Sequence, residues 1–195
     1  NVRKITNYGQ YNYTPGYHTN ISFTQDGKYL IFNTGRLGTS AVCKCEVETG
    51  DITCLIEPIA GVGPRNELEE INRSYLGNGK GVSNVRLDPT GNIVVYTVEC
   101  SLRSVDINTL EEKILIEDIG YENNFVGACS TIDKQGNLIY ATCSAHPQLI
   151  KGEFITKSYH SLMCDNIKVK YYRMPITGGK PELIYEPKDG LATSH

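Results

Sequence analysis

Three segments of the 195-residue chain repeat one pattern: FTQDGKYLIF at 23–32, LDPTGNIVVY at 87–96 and IDKQGNLIYA at 132–141. Each reads as a short apolar strand, a turn closed by Gly27, Gly91 or Gly136, and a second apolar strand. Such repetition constrains a fold more than composition does, because each unit must bury its apolar faces against the next. A second half follows each copy: CKCEVETGDITCLI (43–56), LRSVDINTLEEKILI (102–116) and YYRMPITGGKPELIY (171–185), each two strands around a polar turn. Two hairpins per unit make four antiparallel strands, one β-propeller blade. The sequence therefore predicts an all-β chain of three four-stranded blades and the start of a fourth, an incomplete propeller.

The boundaries follow from the repeat. Blade one is expected over 1–58, an inter-blade loop over 59–82, blade two over 83–118, blade three over 119–187 with an insertion at 142–166, and the start of blade four over 188–195. From the first turn to the second is 23 positions in blade one (Gly27 to Gly50), 19 in blade two (Gly91 to Leu110) and 43 in blade three (Gly136 to Gly179). The excess in blade three lies between its second and third strands. A second excursion, GVGPRNELEEINRSYLGNGKGVS at 61–83, links blades one and two and holds the best helical candidate, NELEEINR, which is short. In an up-and-down blade both excursions leave from the same face, and long loops in a compact domain are usually functional. All four histidines are expected on that face: His18 and His195 just before an innermost strand, His146 and His160 in the blade-three insertion.

Composition narrows the function classes. A net charge of −3 argues against broad capture of nucleic acid. No stretch nears the ~20 apolar residues that span a bilayer, and the first residues show no apolar core of a signal peptide. Seven cysteines without metal-ligand spacing read as reduced thiols, favouring a cytoplasmic location, with the periplasm as alternative. The sequons at Asn20 and Asn72 read as chance. GNGKG at 77–81 lacks the phosphate-loop pattern, no G-x-S-x-G elbow occurs, and Glu69-Glu70 and Glu111-Glu112 read as solvated surface. His18 and His160 either satisfy loop carbonyls or contact a ligand, whereas His146, before Pro147, reads as structural. Arg36 and Arg65 lie in loops of the same face, where a guanidinium fork could meet a carboxylate.

With FTQDGKYLIF, the following EVETGDI and the TPGYHTN segment in view, the chain resembles the oligogalacturonate lyases. The likeness runs from RKIT near the start, through VDINTLEEKILI and the SYH segment, to LATSH at the end. The DG-turn blade is shared with Tol-system and WD40-like propellers. Its combination with the blade-three insertion, Tyr159-His160 and a His before blade four is more specific.

The resemblance implies a seven-bladed propeller that cleaves pectin oligomers by β-elimination. It implies His195 as base and Lys170 as neutraliser of the uronate carboxylate, with Arg173 as the alternative cation. His18, His160, Arg36 and Arg65 would be substrate contacts. A base near neutral pKa and cations facing the developing charge suit this chemistry. A divalent metal, Mn²⁺ or Ca²⁺, is implied with its ligands in later blades outside these 195 residues, so no metal ligand is assigned here. On this reading the chain is the N-terminal part of a longer lyase, inactive alone, and an acidic oligosaccharide is the partner. Exposed outer blades would be an association hazard. Lys170 and Arg173, three residues apart on a strand, should point to opposite faces, so at most one meets the substrate channel. The alternatives are a non-catalytic module that binds carbohydrate or protein, and a lyase for another uronate polymer.

Overall fold

The computed structural model describes residues 13–15, 21–34, 41–56, 82–98, 101–117, 124–144 and 169–186. These form twelve strands: β1 (Tyr13–Pro15), β2 (Tyr29–Thr34), β3 (Ala41–Glu46), β4 (Ile52–Ile56), β5 (Val82–Leu87), β6 (Ile93–Val98), β7 (Ser101–Asp106), β8 (Glu112–Ile116), β9 (Asn124–Ile132), β10 (Asn137–Ser144), β11 (Val169–Pro175) and β12 (Glu182–Tyr185). They pair in three antiparallel sheets, β1-β2-β3-β4, β5-β6-β7-β8 and β9-β10-β11-β12. The fold is all-β, built of propeller blades, with the first strands of blades two and three, β5 and β9, side by side.

The connection between β10 and β11 is 145–168, later than the expected 142–166, because the ladder between them continues through Ala141, Thr142 and Cys143.

The shared turn explains why the repeat is visible. Three residues before each turn glycine stands Thr24, Asp88 or Asp133, whose carbonyl accepts the glycine N–H at 2.8, 2.8 and 3.1 Å. The side chain at that position also accepts the amide of the next strand's first residue: Tyr29 to Thr24 Oγ1 (3.0 Å), Ile93 to Asp88 Oδ2 (2.5 Å), Asn137 to Asp133 Oδ1 (2.8 Å). A short oxygen-bearing side chain thus closes each turn. The amide of Asn137 above all, then its side chain, holds the Asp133 carboxyl below the usual carboxylate range.

A second repeated device sits at the other end. Val42 pairs with Ile56, Leu102 with Ile116 and Tyr171 with Tyr185, and in each case the next pair, to Cys54, Ile114 or Leu183, skips one residue. Leu55, Leu115 and Ile184 are therefore the same β-bulge in three blades, and they set one frame of equivalent positions.

Blade two carries the core. Its second strand, β6, is buried on both faces from Val94 to Val98. Val94, Tyr96 and Val98, with Val105 and Ile107, pack against Ile31, Val42, Leu55 and Ile56 of blade one. Val95 and Leu102 pack against Leu138, Tyr140 and Met174 of blade three. Burial, with the Glu112 carboxylate close by, pushes the Tyr96 phenol far above the ordinary tyrosine range.

The turns of blades one and two also touch. A Cβ on Gly91, whose φ is +79°, would stand 2.8 Å from the Gln25 amide nitrogen and 2.9 Å from Thr24 Cα. Gly136, at φ +76°, has nothing within 4 Å of that point. Left-handed backbone strain alone costs about 1 kcal/mol for a non-glycine. In thermal or denaturant unfolding, Gly136→Ala should lose roughly that amount, and Gly91→Ala at least about twice as much.

Candidate functional site

The frame gives Lys170 and Arg173 equivalents in the other blades. Ala41, Ser101 and Lys170 are equivalent, each preceding the residue opposite the bulged strand. Ala41 and Ser101 are buried, as the closely packed strand ends demand. Lys170 departs from that rule. It stands opposite Thr142 at the end of blade three from which 145–168 leaves, the long-loop face. Its ammonium lies 3.8 Å from Glu186, with both side chains nearly half exposed. Such a solvated, long pair contributes well under ~1 kcal/mol, so Lys170 can exchange Glu186 for another carboxylate at little cost.

Arg173 occupies the position of Lys44 and Ser104. Lys44 reaches into the next blade, where its ammonium donates to the Ile107 carbonyl at 2.6 Å and lies 4.8 Å from the Tyr29 ring centre. Arg173 shares a face with Ile139, its cross-strand partner, away from Tyr172 and Met174, which pack toward blade two. Its guanidinium donates to Glu182 Oε2 at 2.7 Å. Glu182, and behind it Asp133, hold it above even the ordinary arginine range. Arg173 thus shares the position of Lys44, but its partner Glu182 is its cross-strand neighbour, so the pair joins β11 to β12 within blade three.

The odd spacing along an unbroken β10–β11 register sets Lys170 and Arg173 on opposite faces. Neither stands on the innermost strand, since β10 lies between β11 and β9.

Each innermost strand breaks register against its neighbour. From Pro15 to Phe23 is eight steps against two from Phe32 to Leu30, their partners on β2. Blade two takes three steps from Ser83 to Arg86 against two on β6. Blade three takes four from Val126 to Ser130 against two on β10. Bulges beside a channel re-aim side chains. His18 stands in sequence between the Pro15 and Phe23 pairings and lies outside the described residues.

The break in blade two is followed by Arg86, a half-buried guanidinium on the inner strand whose Nη1 donates to the Val85 carbonyl at 2.8 Å. The sequence reading missed Arg86, because in VSNVRLDP nothing marks the extra residue that turns it.

His160, His195, Arg36 and Arg65 also lie outside the described residues, as do His146, the GNGKG segment and the NELEEINR candidate. Among the described candidates, the structure separates Lys170 and Arg173 rather than gathering them.

A cleft of about 460 Å³ opens at the opposite, tight-turn end, between Asp26, Lys28 and Tyr29 of blade one and Asn92, Ile107 and Asn108 of blade two. Its polar groups have turn duties: Asp26 accepts the Thr24 hydroxyl at 2.5 Å and the Lys28 amide at 2.9 Å, and Thr24 above all lowers its pKa. None of the candidates from the sequence lines it.

Among the described residues, no three of His, Cys, Asp and Glu are grouped to hold a metal ion. The described part of the chain thus offers no fit for the divalent ion that the resemblance implies.

The chain is similar in structure to an oligogalacturonate lyase from Vibrio parahaemolyticus, with a TM-score of 0.69 and 18% identity over 93% of this chain and 42% of that one. An oligogalacturonate lyase in complex with manganese gives a TM-score of 0.68 and 17% identity over 95% of this chain and 43% of that one. A putative TolB from Agrobacterium tumefaciens gives a TM-score of 0.54 and 11% identity over 93% and 51%. The chain spans less than half the length of either lyase. At these identities the likeness is one of fold. No protein-family model matches the chain, and no curated protein matches it in sequence.

If Lys44 ties two blades and Lys170 does not, removing their charges should differ. Lys44→Met should lose about 1.5–3 kcal/mol of stability in denaturant unfolding, the range for a hydrogen bond involving a charged group, and Lys170→Met within about 0.5.

Proposed function

We propose that this chain is the N-terminal part of a lyase that cleaves oligogalacturonates by β-elimination. The observation that carries the proposal is the overlap with two such lyases over 93% and 95% of this chain, at TM-scores of 0.69 and 0.68, against 0.54 for the TolB-type propeller. The half-exposed Lys170, at a position where the other blades bury Ala41 and Ser101, adds a reason internal to the chain.

In this reading the substrate is an acidic oligosaccharide on the long-loop face. Lys170 leaves Glu186 for a uronate carboxylate and neutralises it, which acidifies the adjacent C–H. His195 removes that proton, and the glycosidic oxygen at the β position leaves, creating the unsaturated product. Arg86 is a second cation for the channel wall, and Arg173, on the face opposite Lys170, remains the alternative neutraliser. His18, His160, Arg36 and Arg65 remain proposed contacts. A divalent metal would supply further charge neutralisation from residues beyond those described. We place the protein in the cytoplasm, with the periplasm as the alternative, on its cysteine usage.

A non-catalytic binding propeller is the second reading, since at 17–18% identity the likeness to the lyases is one of fold. Ultraviolet absorbance of the unsaturated product, with oligogalacturonate and Mn²⁺, separates the two. The 195-residue chain alone should give no turnover, and the longer gene product should be active. In that product Lys170→Ala should lower kcat/KM by about 10–100-fold, or ~1.4–2.7 kcal/mol, with stability unchanged. Arg173→Ala should lower kcat/KM by less than Lys170→Ala does. An inactive longer product with His195 intact would overturn the lyase reading and leave binding.

A further inference from the structure

The face of blade one that looks away from blade two carries three sulfurs. Cys43, Cys45 and Cys54 are thiols and cluster there with Phe32, Leu30 and Ile52. Cys43 on β3 and Cys54 on β4 are direct cross-strand partners.

The hairpin sets the geometry of that pair. The Glu46 amide donates to the Asp51 carbonyl at 2.9 Å, making those two a hydrogen-bonded pair at the closed end. Ladder pairs alternate, so Lys44–Thr53 is bonded and Cys43–Cys54 is a non-bonded pair, with Cα atoms about 4.5 Å apart. That is within the roughly 4.4–6.8 Å that a disulfide accepts, and both side chains share one face. The Cys54 thiol already lies over the partner strand, donating to the Val42 carbonyl at 3.8 Å as well as to Ile56 at 3.3 Å.

We propose that Cys54 is a thiol-modification site and Cys43 its resolving partner, joined by a low-molecular-weight disulfide such as glutathione disulfide into a cross-strand bridge. Cys54 is the partly exposed member of the pair, whereas Cys43 is only 4% exposed. The Cys54 thiolate attacks one sulfur of the oxidant, releasing one glutathione thiolate and leaving a mixed disulfide. The Cys43 thiolate then attacks the Cys54 sulfur and releases the second. Two protein thiols are oxidised, one small disulfide is reduced to two thiols, and the protons pass to the departing thiolates. Cys45 stays outside the exchange. It is fully buried, and burial first, then the charges of Asp51 and Glu46, push its thiol up and keep it protonated.

Trypsin reads the outcome directly. Cuts after Arg36, Lys44 and Arg65 place Cys43 on the peptide 37–44 and both Cys45 and Cys54 on 45–65. The full chain is equilibrated in glutathione and glutathione disulfide, alkylated, digested and analysed by mass spectrometry. The two peptides should be found linked as the main form, with fragmentation placing the bridge on Cys54. The link should persist in Cys45→Ser, vanish in Cys54→Ser, and lose its selectivity when oxidation is done in denaturant. Peptides recovered fully alkylated, a bridge to Cys45, or Cys43 linked to any other cysteine would overturn the proposal. Fragmentation of the unmutated chain decides this even if a variant fails to fold.

Discussion

A four-stranded blade has two apolar faces and cannot bury both by itself, so each blade depends on its neighbours. Blade two shows the requirement met. From Val94 to Val98 successive side chains of β6 are buried in alternating directions, toward blade one and toward blade three. Full burial of a Val is worth about 1.5–3 kcal/mol, so this one strand outweighs any polar contact described. Blade three shows it unmet. Tyr171 and Tyr185 hold the places of Leu102 and Ile116, yet Tyr185 is 59% exposed. Their rings, 5.9 Å apart, cover one another in part.

Much of this architecture was legible in the residues. The turns advertise themselves because an oxygen-bearing side chain and a glycine three residues on are chemically demanded. The second hairpins show because apolar runs flank polar turns. The bulges were not legible. Leu55, Leu115 and Ile184 are apolar residues in apolar strands, and an extra residue leaves no mark on composition. The same holds for Ser83 to Arg86, which hid Arg86, and for Pro15, whose pairing before His18 only the register shows. The end of β10 was set too early because Thr142 and Cys143 are ambiguous between strand and loop, and only the partner strand β11 decides. The candidate site was legible as a face rather than as a constellation.

Once the bulges align the blades, function can be sought as departure from the frame. Arg173 stands where Lys44 stands, a position that holds a cation in blade one as well, although Lys44 crosses to the Ile107 carbonyl and Arg173 pairs with Glu182 in its own blade. Lys170 departs, placing a half-exposed cationic side chain where Ala41 and Ser101 are buried. Leu110 also departs, adopting φ 62° where blade one uses Gly50, but at a tight turn remote from the long loops. Being unlike its equivalents is therefore informative only when the residue also stands on the face that carries the insertions.

The central claim is that packing of blade two between its neighbours holds the described chain together. Amide hydrogen exchange under native conditions measures this strand by strand. The β6 amides of Val94 to Val98 should be the slowest in the chain, with β12 and the outer end of blade three the fastest. Rapid exchange in β6, or protection greatest in β3 or β11, would contradict it.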